Sequence, residues 1–374
     1  MASGLVSQEG GVFIMLAPPT AQGVNPPHTR LKPVQDFIAA QRDEIRRRGE
    51  HQPVRMVRPL RPHDPPLRLP VLGFGTWATT TNARETGATR HAVTHALLAG
   101  YRHIDCASYY GNQREVGEAL AEVSRRLDLP RTDVFLTGKL WNTDHHRVRD
   151  ACRDTLEELG VTYLDLYLIH WPCTQGSTVT IAQTWAAMAA LVDEGLVRAI
   201  GCSNFSIKKL LPLMSCAYPP QVVQAESHPW FRNDLLREWC QDHGIHFSAY
   251  APFGSPDSAT FLRRRRRSDT DTTPMSLLEH TEVRAVAEEL GYSVGTTLLV
   301  WGLSRGVSVL PKSSSPTRLA ENLRAGTMYT NLGEARPAAL KRLDVWEDQY
   351  RMVDGSAFVS VRGPYRSLQE LWDE

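Results

Sequence analysis

Gly100-Tyr101-Arg102-His103-Ile104-Asp105-Cys106-Ala107-Ser108-Tyr109-Tyr110-Gly111-Asn112 is a buried-strand pattern that ends in chemistry. His103 to Ala107 reads as a short core strand, yet it carries an ionisable carboxylate, and two tyrosines and a Gly-Asn turn follow directly. A carboxylate at the end of a core strand needs a partner, because an unpaired charge out of water is costly. The chain offers an ammonium in Lys139, at the end of the apolar run Val134-Phe135-Leu136-Thr137-Gly138-Lys139. It offers an imidazole in His170, closing Tyr163-Leu164-Asp165-Leu166-Tyr167-Leu168-Ile169-His170. Runs that each end in an ionisable group are expected to share one pocket.

Outward from these three, five more runs of the same kind complete the set: Leu72 to Trp77, Val197 to Cys202, Val222 to Glu226, His246 to Tyr250 and Val307 to Lys312. Helical-period segments separate them, among them Arg90 to Ala99, Arg114 to Leu127, Val148 to Leu159, Ala182 to Leu196, Leu235 to His243 and Glu282 to Leu290. Near-continuous apolar strands alternating with helices imply parallel pairing through right-handed crossovers. An open doubly wound sheet would carry a GxGxxG turn after an early strand, and Leu72-Gly73-Phe74-Gly75-Thr76-Trp77 breaks that spacing. The expected fold is therefore a closed (β/α)8 TIM barrel over residues 67–352, with an N-terminal extension (1–66) and a C-terminal tail (353–374). Barrel chemistry sits at the carboxyl ends of strands. Asp105, Lys139, His170, Asn204, Tyr250 and Lys312 all fall there.

The bulk composition agrees with such a domain and removes other classes. The chain has 374 residues, 42% of them hydrophobic, with 42 Lys and Arg against 41 Asp and Glu. A net charge of +1 gives no reason to expect a nucleic-acid or membrane-surface partner. The six cysteines form no CxxC pair and mostly lie in apolar segments, as buried thiols of a reducing compartment do. Gly11 to Ala17 is too short to span a membrane and has no basic residue before it, so the expected location is cytoplasmic. No metal site is expected. Residues 18–29 are rich in proline, residues 33–48 suggest an amphipathic turn of helix, and residues 52–70 carry prolines at short intervals, which reads as a loosely packed arm.

The order of short motifs resembles the aldo-keto reductase family over roughly residues 68–330. It is carried by Leu72 to Trp77, Gly100 to Asn112, Thr137-Gly138-Lys139-Leu140-Trp141, Leu168-Ile169-His170-Trp171-Pro172, Gly201 to Phe205, Gln224 to Pro229, Ala249 to Gly254 and Leu310 to Arg318. The resemblance implies a catalytic tetrad of Asp105, Tyr110, Lys139 and His170. It implies that Ser203, Asn204 and Gln224 bind the carboxamide of a nicotinamide, that Tyr250 stacks on its ring, and that Ala251, Phe253 and Ser255 lie in the segment covering the pyrophosphate. It implies Lys312, Ser313 and Arg318 at a 2′-phosphate and Glu321 and Asn322 at the adenine, with residues 353–374 closing over the pocket. Ala251 and Gly138 stand where many members have serine.

The chemistry follows from the residue types as well. Reducing a carbonyl by hydride needs a proton donor at the oxygen, and a phenol with a pKa of about 10 is a poor one. Lys139 beside Tyr110 is expected to lower that pKa, Asp105 to hold Lys139, and His170 to orient the carbonyl. Tyr109 is the adjacent competing phenol. Ser315-Pro316 reads as a helix start, and a helix N-terminus with Arg318 and Lys312 nearby suits the 2′-phosphate, so NADP(H) is expected over NADH. Trp77, Trp141 and Trp171, with Phe253, would wall a pocket for a small-molecule aldehyde or ketone, made more open by the short segment from Trp171 to Trp185. Arg263 to Arg267 reads as a solvated loop, or as a dock for cofactor phosphates or a nuclear-localisation-like patch. A monomer or weak dimer is expected. Two other functions share these residues: a regulatory subunit on the same scaffold, and an alcohol dehydrogenase running the reaction backwards.

Overall fold

In the computed structural model of the protein, residues 32–61, 64–77, 87–256, 276–333, 335–347, 349–361 and 363–374 are described. They fall into two units, residues 1–42 and 43–374. The described part of the first is the opening of helix α1 (Lys32–Glu50), 19 residues long where the sequence suggested a single amphipathic turn. The arginine run 263–267 lies outside the described residues.

In the second unit the end of α1 is followed by a hairpin, β1 (Val54–Val57) and β2 (Leu67–Pro70), antiparallel from Val54 opposite Pro70 to Val57 opposite Leu67. Eight strands follow: β3 (Phe74–Gly75), β4 (His103–Asp105), β5 (Phe135–Leu140), β6 (Leu166–Ile169), β7 (Ile200–Ser203), β8 (Val222–Glu226), β9 (His246–Tyr250) and β10 (Ser308–Leu310). Each pairs in parallel with the next in the chain. A parallel bridge between Leu72 and Val309 closes the ring, with the Gly73 amide donating to Val309 O at 2.9 Å and the Val309 amide to Val71 O at 2.8 Å. This is the eight-stranded parallel barrel expected from the runs, with strand ends trimmed.

The helices between the strands cover its outside: α2 (Ala88–Ala99), α3 (Gln113–Leu127), α4 (Val148–Leu159), α5 (Ile181–Asp193), α6 (Asp234–Asp242), α7 (Thr281–Leu290), α8 (Val294–Ser304) and α9 (Pro316–Asn331). In α3, Val116, Ala119, Val123 and Leu127 recur at helical spacing and are all buried. Each larger side chain removed from water in this way contributes about 1.5–3 kcal/mol. α4 stops at Gly160, whose φ of 64° and amide bonds to the carbonyls of Leu156 and Glu157 make a left-handed cap. Among the described residues no helix is long and apolar enough to cross a membrane.

The hairpin differs from the loosely packed arm read from residues 52–70. Val57, Leu67 and Leu69 are buried against Phe135, Leu166, Leu168, Ala199 and Val222. Phe135, Leu166 and Val222 open β5, β6 and β8, so the hairpin plugs the amino-terminal mouth of the barrel. Pro53 precedes β1 and Pro65 and Pro66 precede β2, where no ladder N–H is lost, and Pro70 is the last residue of β2, opposite Val54. One layer above, His103 bonds Pro70 O at 3.1 Å and Thr137 Oγ1 at 3.0 Å. The carboxyl end of the barrel is thereby left as the end available for a site.

Candidate active site

Strand alternation places every second side chain of a barrel strand inward. Two residues above His103 stands Asp105, two above Thr137 stands Lys139, and Gln224 follows Val222 on the same face of β8. Lys139 is fully buried, and its ammonium is matched donor for acceptor: an ion pair with Asp105 Oδ1, and hydrogen bonds to Cys106 O at 3.0 Å and to the Tyr110 hydroxyl oxygen at 3.2 Å. The other carboxylate oxygen of Asp105 accepts from Gln224 Nε2 at 2.8 Å. Tyr110 reaches this chain from the 3-10 turn Ser108–Tyr110, which Gly111 ends at a φ of 65°. A Cβ at Gly138 would come within 2.9 Å of Leu164 Cδ1 and 3.3 Å of Tyr167 Cδ2, so a larger residue beside Lys139 would require the Leu164 side chain to shift.

His170 follows β6, and its ring lies edge-on to Tyr110 at 5.7 Å and to Trp141 at 5.2 Å. Burial, followed by the Lys139 charge, pushes its imidazole well below the ordinary range, so it is neutral. For Lys139 burial works downward, but Asp105 and Tyr110 overcome it and its pKa is raised, which keeps the ammonium charged. Tyr110 departs from the expected direction. Burial raises its phenol more than Lys139 lowers it, and Asp105 adds to the rise by offsetting the ammonium. Tyr110 is therefore protonated at neutral pH.

The expected cofactor residues form two groups. Near the tetrad, Asn204 Nδ2 donates to His170 O at 2.9 Å and to Ser203 Oγ at 3.2 Å, while its Oδ1 accepts from the Tyr250 hydroxyl at 2.7 Å. Asn204, Ala251 and Ser255 take positive φ values of 63°, 51° and 48°, with Gly254 at 67°. Ala and Ser seldom adopt this conformation, and such backbone strain clusters at ligand sites. Further out, the Ser315 hydroxyl caps α9, accepting from the Arg318 amide at 3.4 Å, and Arg318 Nε donates to Ser313 Oγ at 3.3 Å. Arg318 is exposed and makes no ion pair among the described residues, Glu321 included. Lys312 is exposed and Ser313 and Asn322 are buried. A Cβ on Gly295 would sit 3.9 Å from Phe253 and 3.8 Å from Asn322, so these two expected residues flank one spot.

Of the three expected wall residues, Trp77 is half exposed with its ring 5.0 Å from that of Tyr110, and Trp141 touches His170. Trp171 is only 5% exposed, beneath Phe358 at 4.7 Å and Trp372 at 5.8 Å. The opening expected on that side is filled by the chain's own end. Two further groups were not singled out from the sequence. Phe358 touches both Trp141 and Trp171. Glu226, buried at the end of β8, accepts from the amides of Met352 at 2.7 Å and Val353 at 2.8 Å and pairs with His228 Nε2 at 2.7 Å, tying down the start of the tail. The signal for Glu226 was present, since it continues the inward alternation of Val222 and Gln224 as a carboxylate that needs partners. Nothing local marks Phe358.

Comparisons with known proteins agree with this geometry. The sequence model of the aldo/keto reductase family matches residues 71–341, most of the chain. "Aldo-keto reductase family 4 member C11" of Arabidopsis thaliana is 38% identical over 321 residues, covering 82% of this chain and 95% of the relative. The human "Aldo-keto reductase family 1 member A1" is 38% identical over 306 residues, covering 76% and 88%. Among solved structures, a Bombyx mori aldo-keto reductase in complex with NADP superposes with a TM-score of 0.68 at 28% identity, over 82% of this chain and 96% of that one. The aldose reductase of Schistosoma japonicum does so with a TM-score of 0.64 at 34% identity, over 77% and 91%. A closed eight-stranded parallel barrel carrying a buried lysine and aspartate with a half-buried tyrosine at its carboxyl end, matched along most of its length by these relatives, belongs to the aldo/keto reductase family.

Proposed function

We propose that this family member, an NADP(H)-dependent oxidoreductase of carbonyl groups, works as a reductase of aldehydes and ketones in which Tyr110 donates the proton. The observation that carries the reading is the chain Asp105–Lys139–Tyr110, buried at the ion pair and half-buried at the phenol. Lys139 donates to the phenol oxygen, so the phenol's own proton is left for a substrate oxygen. As that proton leaves, the negative charge develops 3.2 Å from an ammonium that Asp105 keeps charged. General acid catalysis of this kind contributes a factor of about 10²–10⁴. Neutral His170, held through its backbone by Asn204, donates an N–H to the carbonyl oxygen and orients it. NADPH, when bound, supplies the hydride.

The residues present fit that cofactor. Arg318, an exposed guanidinium with no carboxylate partner among the described residues, beside the capped start of α9, suits a 2′-phosphate, with Lys312 and Ser313 completing the pocket. Glu321 and Asn322 would take the adenine, the left-handed turn from Ala251 to Ser255 the pyrophosphate, and Ser203, Asn204, Gln224 and Tyr250 the nicotinamide. Residues 353–374 serve as a cover, with Phe358 on the aromatic wall. Six free cysteines suit the reducing cytoplasm. The test is NADPH oxidation with a panel of aldehydes and ketones, set against NADP⁺ reduction by the matching alcohols. Net consumption of NADPH with aldehydes is expected; no turnover in either direction would leave a binding protein on a reductase scaffold.

A further inference from the structure

Tyr109 joins two indoles of the site, the exposed Trp77 and the half-buried Trp141. Its ring is 3.7 Å from Trp141 at an interplanar angle of 16°, and 5.7 Å from Trp77 at 13°. Trp77 in turn meets Tyr110 at 5.0 Å, Tyr110 meets His170 at 5.7 Å, and His170 meets Trp141 at 5.2 Å. The five rings close a circuit around the point where Tyr110 and His170 converge, and Tyr109 is the member that completes it. It is 52% exposed, and among the described residues its hydroxyl makes no hydrogen bond, so stacking alone holds the ring.

We infer that Tyr109 is a specificity-determining residue, an internal occupant of the aromatic slot between Trp77 and Trp141. The inference deepens the reductase reading and rests on it for the identity of the reacting groups. Parallel indole faces are a binding surface for a planar body, because offset stacking contributes about 0.5–1.5 kcal/mol per pair beyond the area buried. Here the chain's own phenol takes that surface. A wide planar aldehyde reaches Tyr110 only by displacing Tyr109, whereas a slender, unbranched aldehyde passes inside the collar. Displacement is a rotation about χ1, since the backbone of Tyr109 is fixed by the turn that also positions Tyr110. The site therefore selects slender aldehydes against fused-ring ones.

The experiment compares kcat/KM for 2-naphthaldehyde and for propanal, with NADPH, in the wild type, Tyr109→Ala, Tyr109→Val and Tyr109→Phe. The naphthaldehyde-to-propanal ratio should rise about tenfold in the Ala and Val variants, equivalent to about 1.4 kcal/mol, and stay within about twofold in Tyr109→Phe, which keeps the ring. A ratio unchanged or lowered in Ala and Val overturns the inference. A second arm needs no turnover: binding of 2-naphthaldehyde to the cofactor-free proteins, read by quenching of indole fluorescence, should tighten about tenfold in the same two variants. If no aldehyde is reduced by any protein, the reductase reading fails while this arm still decides the role of Tyr109. Equal quenching curves in all four proteins would overturn it.

Discussion

Lys139 has no exposed surface, and it stays charged because Asp105 lies against it and two oxygens take its remaining protons. The sequence reading reached this pairing from one argument, that a carboxylate at the end of a core strand must be answered. The same reading, applied to Trp171, gave an open wall. The residue is covered instead, because Phe358 and Trp372 reach it from nearly two hundred residues further along, a distance no local pattern reports. Arg318 belongs to this scale too. Its exposed guanidinium, with no carboxylate partner among the described residues, is expected to hold the 2′-phosphate of NADPH through charge-assisted hydrogen bonds worth about 1.5–3 kcal/mol. Arg318→Ala should raise KM for NADPH by roughly 10- to 100-fold and hardly change KM for NADH. Steady-state kinetics with both cofactors checks this, and equal losses would show that the arginine serves the fold.

Among the elements, the strands were legible because parallel barrel strands are buried on both faces and so stand out as apolar runs. Two elements were not, for different reasons. α8 is buried from Thr296 to Leu303, so it has no polar face from which to read a helical period. The β1–β2 hairpin hid behind its prolines, although these sit just before the strands or at the end of β2, leaving the strand interiors free to pair. The hairpin closes the end of the barrel opposite the site, so it should matter to stability and not to chemistry. Leu69→Ala removes a fully buried side chain from the plug and is expected to cost about 2–5 kcal/mol, read as a lower denaturant midpoint, with the KM for aldehyde unchanged. A loss of aldehyde affinity at unaltered stability would mean that this end communicates with the site.

Among the described residues, three buried histidines and the half-buried His246 are held neutral by the fold. Burial lowers His103 and His170, pushes His145 down to about 4 and His246 down to about 3. In the unfolded chain each takes a proton near pH 6.5, whereas in the folded chain it does not, so the unfolded state binds more protons below that value and stability is lost as pH falls. The melting temperature should therefore be clearly lower at about pH 5 than at about pH 7, a window above the range in which most carboxylates titrate; a flat profile would mean that these rings are solvated. Barrel closure itself was a counting argument from eight runs, and it succeeded because Leu72 and Val309 meet. The purpose of closure is the juxtaposition of Asp105, Lys139, Tyr110 and His170 from separate elements. Whether the proton leaves from Tyr110 is decided by turnover of NADPH with an aldehyde in Tyr110→Phe, measured beside NADPH binding to the same variant. Binding should stay close to that of the wild type while kcat falls about 10²- to 10⁴-fold; near-normal kcat in Tyr110→Phe, with kcat abolished in Tyr109→Phe, would move the proton donor to Tyr109.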